Sequence, residues 1–464
     1  MNYTLLLLLC GTVAHSFFGP NVRIDHTGSR DICYVPRITL GPRTGSSRPI
    51  YVAFEDDSLG YFSGVLFQKS LDGGRTWLPA DVFIARPTAC DPDITTDREG
   101  DIFIVYQDPV SVNCVRSTDG GATWPLRTKV NDDSTKSAGA ARIATDSAGN
   151  LFCVFFAYRP GCARIWSSVS TDRGATWSRN VRVDDIPDTL YYDCGRPDVF
   201  VQPGTNDYLV AASAPYHDGA YINPGPYFYR STDMGQTFQP GVQVDTSAIE
   251  AHVVADAQHV IVDYSGIETR TLYTIPDTWG APYLIGYSSE NTGKLAISAD
   301  RRVHTVLEVE DTTGISQAYY SFSSDHGVSW SDPELVSADS TKTTGYPDIA
   351  ADSAGHVYVA WEAGIHCGIW FATNSPADVA EQPAQSPISV QPFVTIVRGV
   401  LFLGDCPRTG TVPKTVLLDI SGRKVLDLRP GANDVSRQAP GVYFVRAVSR
   451  EPSAVSCYKV VVTR

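Results

Sequence analysis

One octapeptide recurs five times along the chain: SLDGGRTW (Ser70 to Trp77), STDGGATW (Ser117 to Trp124), STDRGATW (Ser170 to Trp177), STDMGQTF (Ser231 to Phe238) and SSDHGVSW (Ser323 to Trp330). A unit repeated at this spacing restricts the chain to architectures of like pieces that stack or close on themselves. The aspartates of the copies stand 47, 53, 61 and then 92 residues apart, and 92 is twice 46, so a sixth copy has decayed in the gap, with PDTW (Pro276 to Trp279) as its remnant. Each copy reads as a hairpin turn. The Asp side chain accepts loop N–H groups, Gly takes a positive-φ position, and the final Trp or Phe folds back into the core. Asp72, Asp119, Asp172, Asp233 and Asp325 are therefore read as structural, because a stapled carboxylate is already satisfied.

A second repeat precedes each octapeptide: PDITTDREGDIFIVYQD from Pro92, ARIATDSAGNLFCVFFAY from Ala141, PDVFVQPGTNDYLVAASA from Pro197 and PDIAADSAGHVYVAWEA from Pro347, with weaker copies from Pro36, Ala251 and Lys294. Each is two apolar strands around a tight turn. Together these make seven units of four short strands, the signature of a β-propeller, with six blades as the fallback should the unit from Ala251 collapse. The last unit lacks an outer strand after Trp370, and a matching strand, NVRID at Asn21 to Asp25, stands before the first unit. A ring that completes its last blade with its N-terminal strand leaves no unpaired edge. The composition agrees: 38 glycines, 30 prolines and 23 tyrosines beside 2 methionines favour short strands and turns. The expected fold is all-β, a seven-bladed β-propeller followed by a small C-terminal β-sandwich.

The chain opens MNYTLLLLLCGTVAHS, a short leucine run and then small residues, which reads as a signal peptide over residues 1–16. The propeller is assigned to residues 17–375, a linker rich in Pro, Ala and Ser to 376–392, and the C-terminal module to 393–464. No segment after the leader has the run of about eighteen apolar residues that spans a bilayer. A net charge of −14, from 51 acidic and 37 basic residues, argues against nucleic acid as a partner, and a monomer is expected. Nine of the ten cysteines remain after the leader, without CxxC spacing, which in an exported chain suggests disulfides. Cys90 with Cys114, Cys162 with Cys194, Cys33 with Cys367 and Cys406 with Cys457 are the pairings considered, with Cys153 free. No cofactor is implied, and no ligand spacing specifies a metal site.

The octapeptide S-x-D-x-G-x-T-W resembles the Asp-box, or BNR repeat, and residues from about Asn21 to Thr373 resemble the sialidase-like propellers that carry it. That resemblance implies sialidases, other glycosidases, lectins or receptor ectodomains, so fold leaves activity open. The last seventy residues contain VLLDISGRKVLDLRPGANDVSRQAPGVYFVRAV and end in YKVVVTR, with Gly422, Asn433, Gly441, Tyr443 and Lys459 at recurrent positions of the type A C-terminal sorting domain of the type IX (Por) secretion system. This second resemblance implies a Gram-negative bacterium, the type IX machinery as a partner, and a secreted or outer-membrane surface location.

Aligning the seven first strands places Arg37, Asp93, Arg142, Asp198, His252, Lys294 and Asp348 at equivalent positions near the mouth of the central channel, opposite the octapeptides. Loops of the same face carry Asp56, Asp57, Asp108, Tyr158, Arg159, the run Tyr216 to Tyr227, Glu308, Glu310, Asp311, Glu362 and His366. Carboxylates, arginines and tyrosines in one concavity suit a sugar, since aromatic faces stack on pyranose rings and charged forks fix hydroxyls. Against the sialidase pattern, the resemblance implies Asp57, or Asp56, as acid, Tyr346 with Glu310 or Glu308 as nucleophile and base, and Arg37 and Arg142 as clamp members. A third clamp arginine is not placed, and the Arg-Ile-Pro motif appears as Val35-Pro36-Arg37-Ile38. The expected function is an exported propeller that binds, and in one reading hydrolyses, glycans or glycoproteins; the alternative is a non-catalytic carbohydrate-binding or adhesion protein.

Overall fold

The computed structural model of the chain describes residues 17–375 except 27–32, 44–47, 58–63, 134–137, 160–162, 187–195, 213–215, 218–219, 222–224, 246–250, 265–267, 275–276, 281–282, 285–293, 311–314, 338–343 and 365–367, and also strands between 395 and 462. Among those residues every regular element is a strand, and no helix is long and apolar enough to cross a membrane. The leader and the linker lie outside the described residues. The chain divides into two compact units, Met1–Ala380 and Glu381–Arg464.

The first unit is a β-propeller built of antiparallel meanders that follow one another along the chain. The first sheet runs Cys33–Leu40, Ile50–Asp56, Gly64–Ser70 and Val82–Ala85; the second runs Cys90–Thr96, Ile102–Gln107, Val112–Ser117 and Leu126–Lys129. The third holds Ala138–Thr145, Leu151–Tyr158, Ala163–Ser170 and Val181–Arg182, and the fourth Pro197–Val201, Tyr208–Ala212, Tyr227–Ser231 and Val242–Gln243. Five strands make the fifth: Ala251–Ala255, His259–Tyr264, Glu268–Thr274, Asp277–Trp279 and Tyr283–Leu284. The sixth holds Lys294–Ile297, Val303–Glu310, Ser316–Ser323 and Glu334–Leu335. The last comprises Thr344–Ala351, Val357–Ala363 and Gly368–Thr373, and its outer strand is Val22–Arg23 from the other end of the unit. Six of these sheets are four-stranded blades.

The closure expected from NVRID is present. Val22 pairs Phe371 and Arg23 pairs Trp370 in antiparallel register. Buried Asp25 accepts the Ile369 N–H at 2.8 Å while Arg23 grips its carboxylate through Nε (2.9 Å) and Nη2 (2.7 Å). The hydrogen bond from Ile369 spans nearly the whole unit, so the first described strand holds the last strand of the propeller in place.

Each octapeptide forms the predicted turn. In the first, Gly74 N donates to Ser70 Oγ (2.7 Å), Ser70 Oγ donates to Asp72 Oδ1 (2.8 Å), and Thr76 supplies its N–H to Oδ1 (2.9 Å) and its hydroxyl to Oδ2 (2.6 Å). The same four bonds recur around Asp119, Asp172, Asp233 and Asp325. The hydroxyls of Thr123 and Thr176, foremost among these donors, hold the Asp119 and Asp172 carboxyls below the usual range.

The aromatic residue that ends each octapeptide packs against the preceding sheet. Trp77 meets Phe371 edge-on at 5.1 Å, Trp124 meets Phe67 at 5.2 Å, and Phe238 stacks on Phe152 at 6.3 Å. Trp279, in the decayed copy, does the same against Phe228 at 5.6 Å. The apolar core is accordingly divided into clusters between adjacent sheets, such as Phe103, Val105, Cys114, Ala141, Ile143 and Cys153 between the second and third. Burying a large aromatic at each junction stabilises it by about 2–3 kcal/mol.

The expected disulfide between Cys90 and Cys114 is absent: both are buried free thiols, as is Cys153. Cys90 lies on the first strand of its sheet opposite Gln107, and Cys114 on the third strand opposite Val105. Two strand spacings put such positions about 9.6 Å apart, beyond the reach of a bridge. Burial pushes the Cys90 and Cys114 thiols up to about 12. Cys33 is likewise a buried thiol. Cys162, Cys194, Cys367 and Cys406 lie outside the described residues, as does the side chain of Cys457.

The second unit contains a five-stranded sheet in the order Thr395–Val397, Val455–Val462, Gly441–Val448, Lys414–Leu418, Lys424–Leu428, and a ribbon of Val400–Leu403 with Gly431–Asp434. Asn433 clamps the turn before the ribbon, accepting from Arg429 N at 2.8 Å and donating to Arg429 O at 2.7 Å.

Candidate functional site

First strands of neighbouring sheets lie side by side around the centre of the propeller, and three carboxylates stitch them. Asp348 accepts from Ile38 N (2.8 Å), Asp93 from Ile143 N (2.8 Å) and Asp198 from Val253 N (3.0 Å), each reaching the first strand of the next sheet. They line a central cavity of about 360 Å³ with Arg37, Arg142 and Lys294. His252 lies on the same tier, buried, its N–H and Nδ1 both 3.0 Å from Asp263 Oδ1. Six of the seven positions aligned from the sequence therefore line one cavity, and the seventh, His252, is held against Asp263.

A backbone irregularity above this tier determines which way its side chains point. The register shifts between Tyr34 and Arg37, Cys90 and Asp93, Gly139 and Arg142, and Gly345 and Asp348. Within each bulge one residue other than glycine holds a left-handed φ: Val35 (48°), Asp91 (47°), Ala140 (46°) and Tyr346 (46°). Bulges re-aim the residues that follow them, here Arg37, Asp93, Arg142 and Asp348. Side chains ending the second strand of the preceding sheet pin three of them: Glu362 Oε2 accepts from Val35 N (3.2 Å), Glu55 Oε1 from Asp91 N (2.5 Å) and Gln107 Oε1 from Ala140 N (3.0 Å).

Charge in the cavity is closely balanced, on side chains that are buried or half-buried. Burial together with the Arg142 charge lowers the Arg37 pKa, whereas Asp91 and Asp93 overcome burial and raise that of Arg142. Burial pushes Asp93 up to about 6 against the pull of Arg142 and Arg37. Lys294 is lowered by burial although Asp198 Oδ1 lies 4.0 Å away, and His252 is driven well below its ordinary value by burial and then by Lys294, Arg37 and Arg142. The Nε atoms of Arg37 and Arg142 are buried without a hydrogen-bond partner.

Sequence reasoning missed three members of the site. Asp91, at its bulge, takes Arg142 Nη1 at 3.3 Å, and its carboxyl is held down by Arg142, Arg196 and Arg37 against burial. Glu55 is raised to about 7, by burial and by Asp91, with Arg196 and Arg37 opposing. Arg196 is exposed and stands two residues before Asp198. Arg142, Arg196 and Arg37 thus all act on the Asp91 carboxyl, and the last two on Glu55 as well. Arg196 sits at the same offset before Asp198 as Asp91 before Asp93, a signal the internal alignment contained.

The proposed catalytic residues are less well gathered. Asp57 is half-buried with Oδ1 sequestered and unpartnered, next to Asp56, which binds Arg86 at 3.1 Å. Glu310 is exposed at the end of its strand; Glu308 is buried two residues earlier. Tyr346 is 36% exposed on its bulge. Glu362 is pushed up to about 8 by burial, and its bond to Val35 marks it as a pin rather than a free acid. Asp108 caps its own turn through Val110 N and Ser111 N, and Arg159 pairs with Asp132 at 2.8 Å, so both are loop supports. Asp311, His366 and the side chains of Tyr216 to Asn223 lie outside the described residues.

No family model and no curated protein matches the chain. Among solved structures, a polysaccharide lyase of family PL25, an ulvan lyase, aligns with a TM-score of 0.53 at 11% identity over 78% of this chain and 100% of its own. A second structure of that family, described as bound to -[GlcA(1-4)Rha3S]-, gives 0.50 at 12% identity over 74% of this chain and 95% of its own. Sialidases also match, among them the Hadza microbial sialidase Hz136, with a TM-score of 0.45 at 13% identity, covering 76% of this chain and 94% of its own. The likeness to the lyases shows the β-propeller fold.

Proposed function

We propose that the chain is an exported glycan-recognising propeller whose central mouth takes an anionic sugar. The observation that carries this reading is the pair of buried guanidinium groups, Arg37 and Arg142, whose Nε atoms lack partners while lining the cavity. Buried donors left unsatisfied are rare and costly, and a planar carboxylate or sulfate matches the guanidinium fork. Arg196 supplies a third, accessible guanidinium, and Tyr346 a ring for stacking. The ligand class agrees with the acidic disaccharide named for one fold neighbour.

A catalytic reading rests on the position of Asp93 in the lining of the cavity, where burial pushes its carboxyl up to about 6, a range in which a general acid works near neutrality. In that reading Asp57, Glu310 and Tyr346 remain the further candidates for hydrolysis. We read the propeller as seven-bladed, counting the five-stranded sheet as a blade, because separate buried clusters lie at its junctions with both neighbours. The octapeptides are read as Asp-boxes, residues 1–16 as a leader, 376–392 as a linker and 393–464 as a type IX sorting domain. These assignments place the protein at the surface of, or outside, a Gram-negative cell.

The test is calorimetric titration of the full chain with uronate- or sialate-bearing oligosaccharides beside their neutral counterparts, followed by assay for new reducing or unsaturated ends. Binding restricted to the acidic set, and weakened about tenfold by Arg196→Ala, is expected. Equal binding of neutral sugars, or no effect of Arg196→Ala, would overturn the reading.

A further inference from the structure

On the face opposite the channel mouth, the first hairpin of one sheet meets the octapeptide of the next. At the junction of the second and third sheets a permanent cation fills the gap: Arg173, the fourth residue of its octapeptide, reaches Asp97 (3.8 Å), Glu99 (3.0 Å) and Asp101 (3.3 Å). At the junction of the fifth and sixth the equivalent residue is His326, and the hairpin supplies Asp256 and His259. His259 Nδ1 lies 3.1 Å from Asp256 Oδ1, and His326 Nδ1 lies 3.4 Å from Asp256 Oδ2. The imidazole rings stack at 3.8 Å with planes 14° apart, and the three donor atoms lie within 4.8 Å of one another.

From this juxtaposition we propose that Asp256, His259 and His326 form a binding site for a divalent transition metal of the Zn²⁺ class, joining the fifth and sixth sheets. Two imidazole nitrogens and one carboxylate are a borderline donor set, suited to Zn²⁺, Co²⁺, Ni²⁺ or Cu²⁺ and poor for Ca²⁺. Bonds of about 2.0–2.2 Å to a tetrahedral ion separate the ligand atoms by about 3.3 Å, the spacing that both His–Asp contacts already show. Occupation requires the stacked rings to tilt so that both Nδ1 lone pairs converge, with water or solvent anion completing the coordination. Asp256 is buried and both histidines are half-buried, so the ion is partly shielded.

The same fold supplies an internal control. The hairpin of the last sheet carries Asp352 with His356 Nδ1 at 3.2 Å, but the fourth position of the octapeptide that follows around the ring is Gly73. That junction offers two donors where the proposed site offers three.

The full chain, freed of metal by chelation, is titrated with Co²⁺, read by its visible absorption, and with Zn²⁺, read by calorimetry. The expected result is one ion per chain, with Kd of about 1 μM or tighter for Zn²⁺. His326→Asn removes the nitrogen donor while keeping a residue suited to the left-handed backbone at φ 62°, and weakens binding about tenfold or more. His356→Asn leaves binding unchanged. Absence of stoichiometric binding in the unaltered chain, or binding that survives His326→Asn, overturns the proposal.

Discussion

Neighbouring glycines in one octapeptide provide a sharp test of what the turns do. Gly120 and Gly121 both hold left-handed φ, 68° and 84°. A Cβ on Gly120 meets nothing within 4 Å, whereas one on Gly121 falls 2.5 Å from Phe67 Cε1 and 2.6 Å from Cζ, the ring on which Trp124 packs edge-on. Left-handed backbone costs alanine about 1–2 kcal/mol, offset by about 0.4–1 kcal/mol from a less flexible unfolded chain, so Gly120→Ala should destabilise by about 1 kcal/mol. Gly121→Ala carries the same backbone cost and adds about 1–3 kcal/mol for displacing a packed ring, giving about 2–4 kcal/mol in all. Urea unfolding followed by tryptophan fluorescence, with equal m values required of both variants, measures the difference. Phe67→Leu in the Gly121→Ala background should recover part of the loss, as coupled neighbours do. Equal destabilisation by the two substitutions, or no recovery, would refute the argument that position 121 is glycine because the Phe67 ring of the preceding sheet lies against it.

Other expectations follow from burial and charge. His304, held by Ser298 Oγ at 2.9 Å and Tyr320 Oη at 2.8 Å, is lowered by burial to about 4. Between that value and the ordinary 6.5 the unfolded chain binds a proton that the folded chain does not, so its contribution to stability is lost as pH falls through this window, by up to about 3 kcal/mol. Equilibrium unfolding between pH 7 and 4 should show a pH slope smaller by up to one proton in His304→Gln; an unchanged slope would contradict this assignment. Alkylation of the unfolded, unreduced chain should label Cys90 and Cys114 separately in peptide maps, and a peptide pair linked through them would disprove the free-thiol assignment. The acidic-sugar titration with Arg196→Ala and the metal titration with His326→Asn complete the set.

The channel tier was legible because repeats can be aligned with one another: once the unit from Pro92 is laid on that from Ala141, Asp93 and Arg142 must share a tier of the propeller. The N-terminal closing strand was legible for the same reason, since a missing piece at one end matched a surplus at the other. Bulges defeated the method locally. An added residue breaks the alternation of a strand, so Asp91 was passed over although it faces Arg142, and the pins Glu55 and Glu362 gave no pattern of their own. The cysteine pairing failed because residues close along the chain, Cys90 and Cys114, are held apart by an intervening strand. Asp256 and His259 come from one repeat and His326 from the next, and only the packing of adjacent sheets brings the three together.

The seam between Val22–Arg23 and Gly368–Thr373 also governs when the ring becomes whole. A chain emerging from the ribosome, or threading through an export pore amino end first, delivers the latch at the outset and its catch only after some 350 further residues, by the separation of Asp25 and Ile369. Until then the leading strand lacks its partner and is able to pair with a stray strand, and contacts of such long range are slow to find. Assembly of this molecule is therefore a race between its own tail and any neighbour's, decided by how long the leading segment is kept waiting.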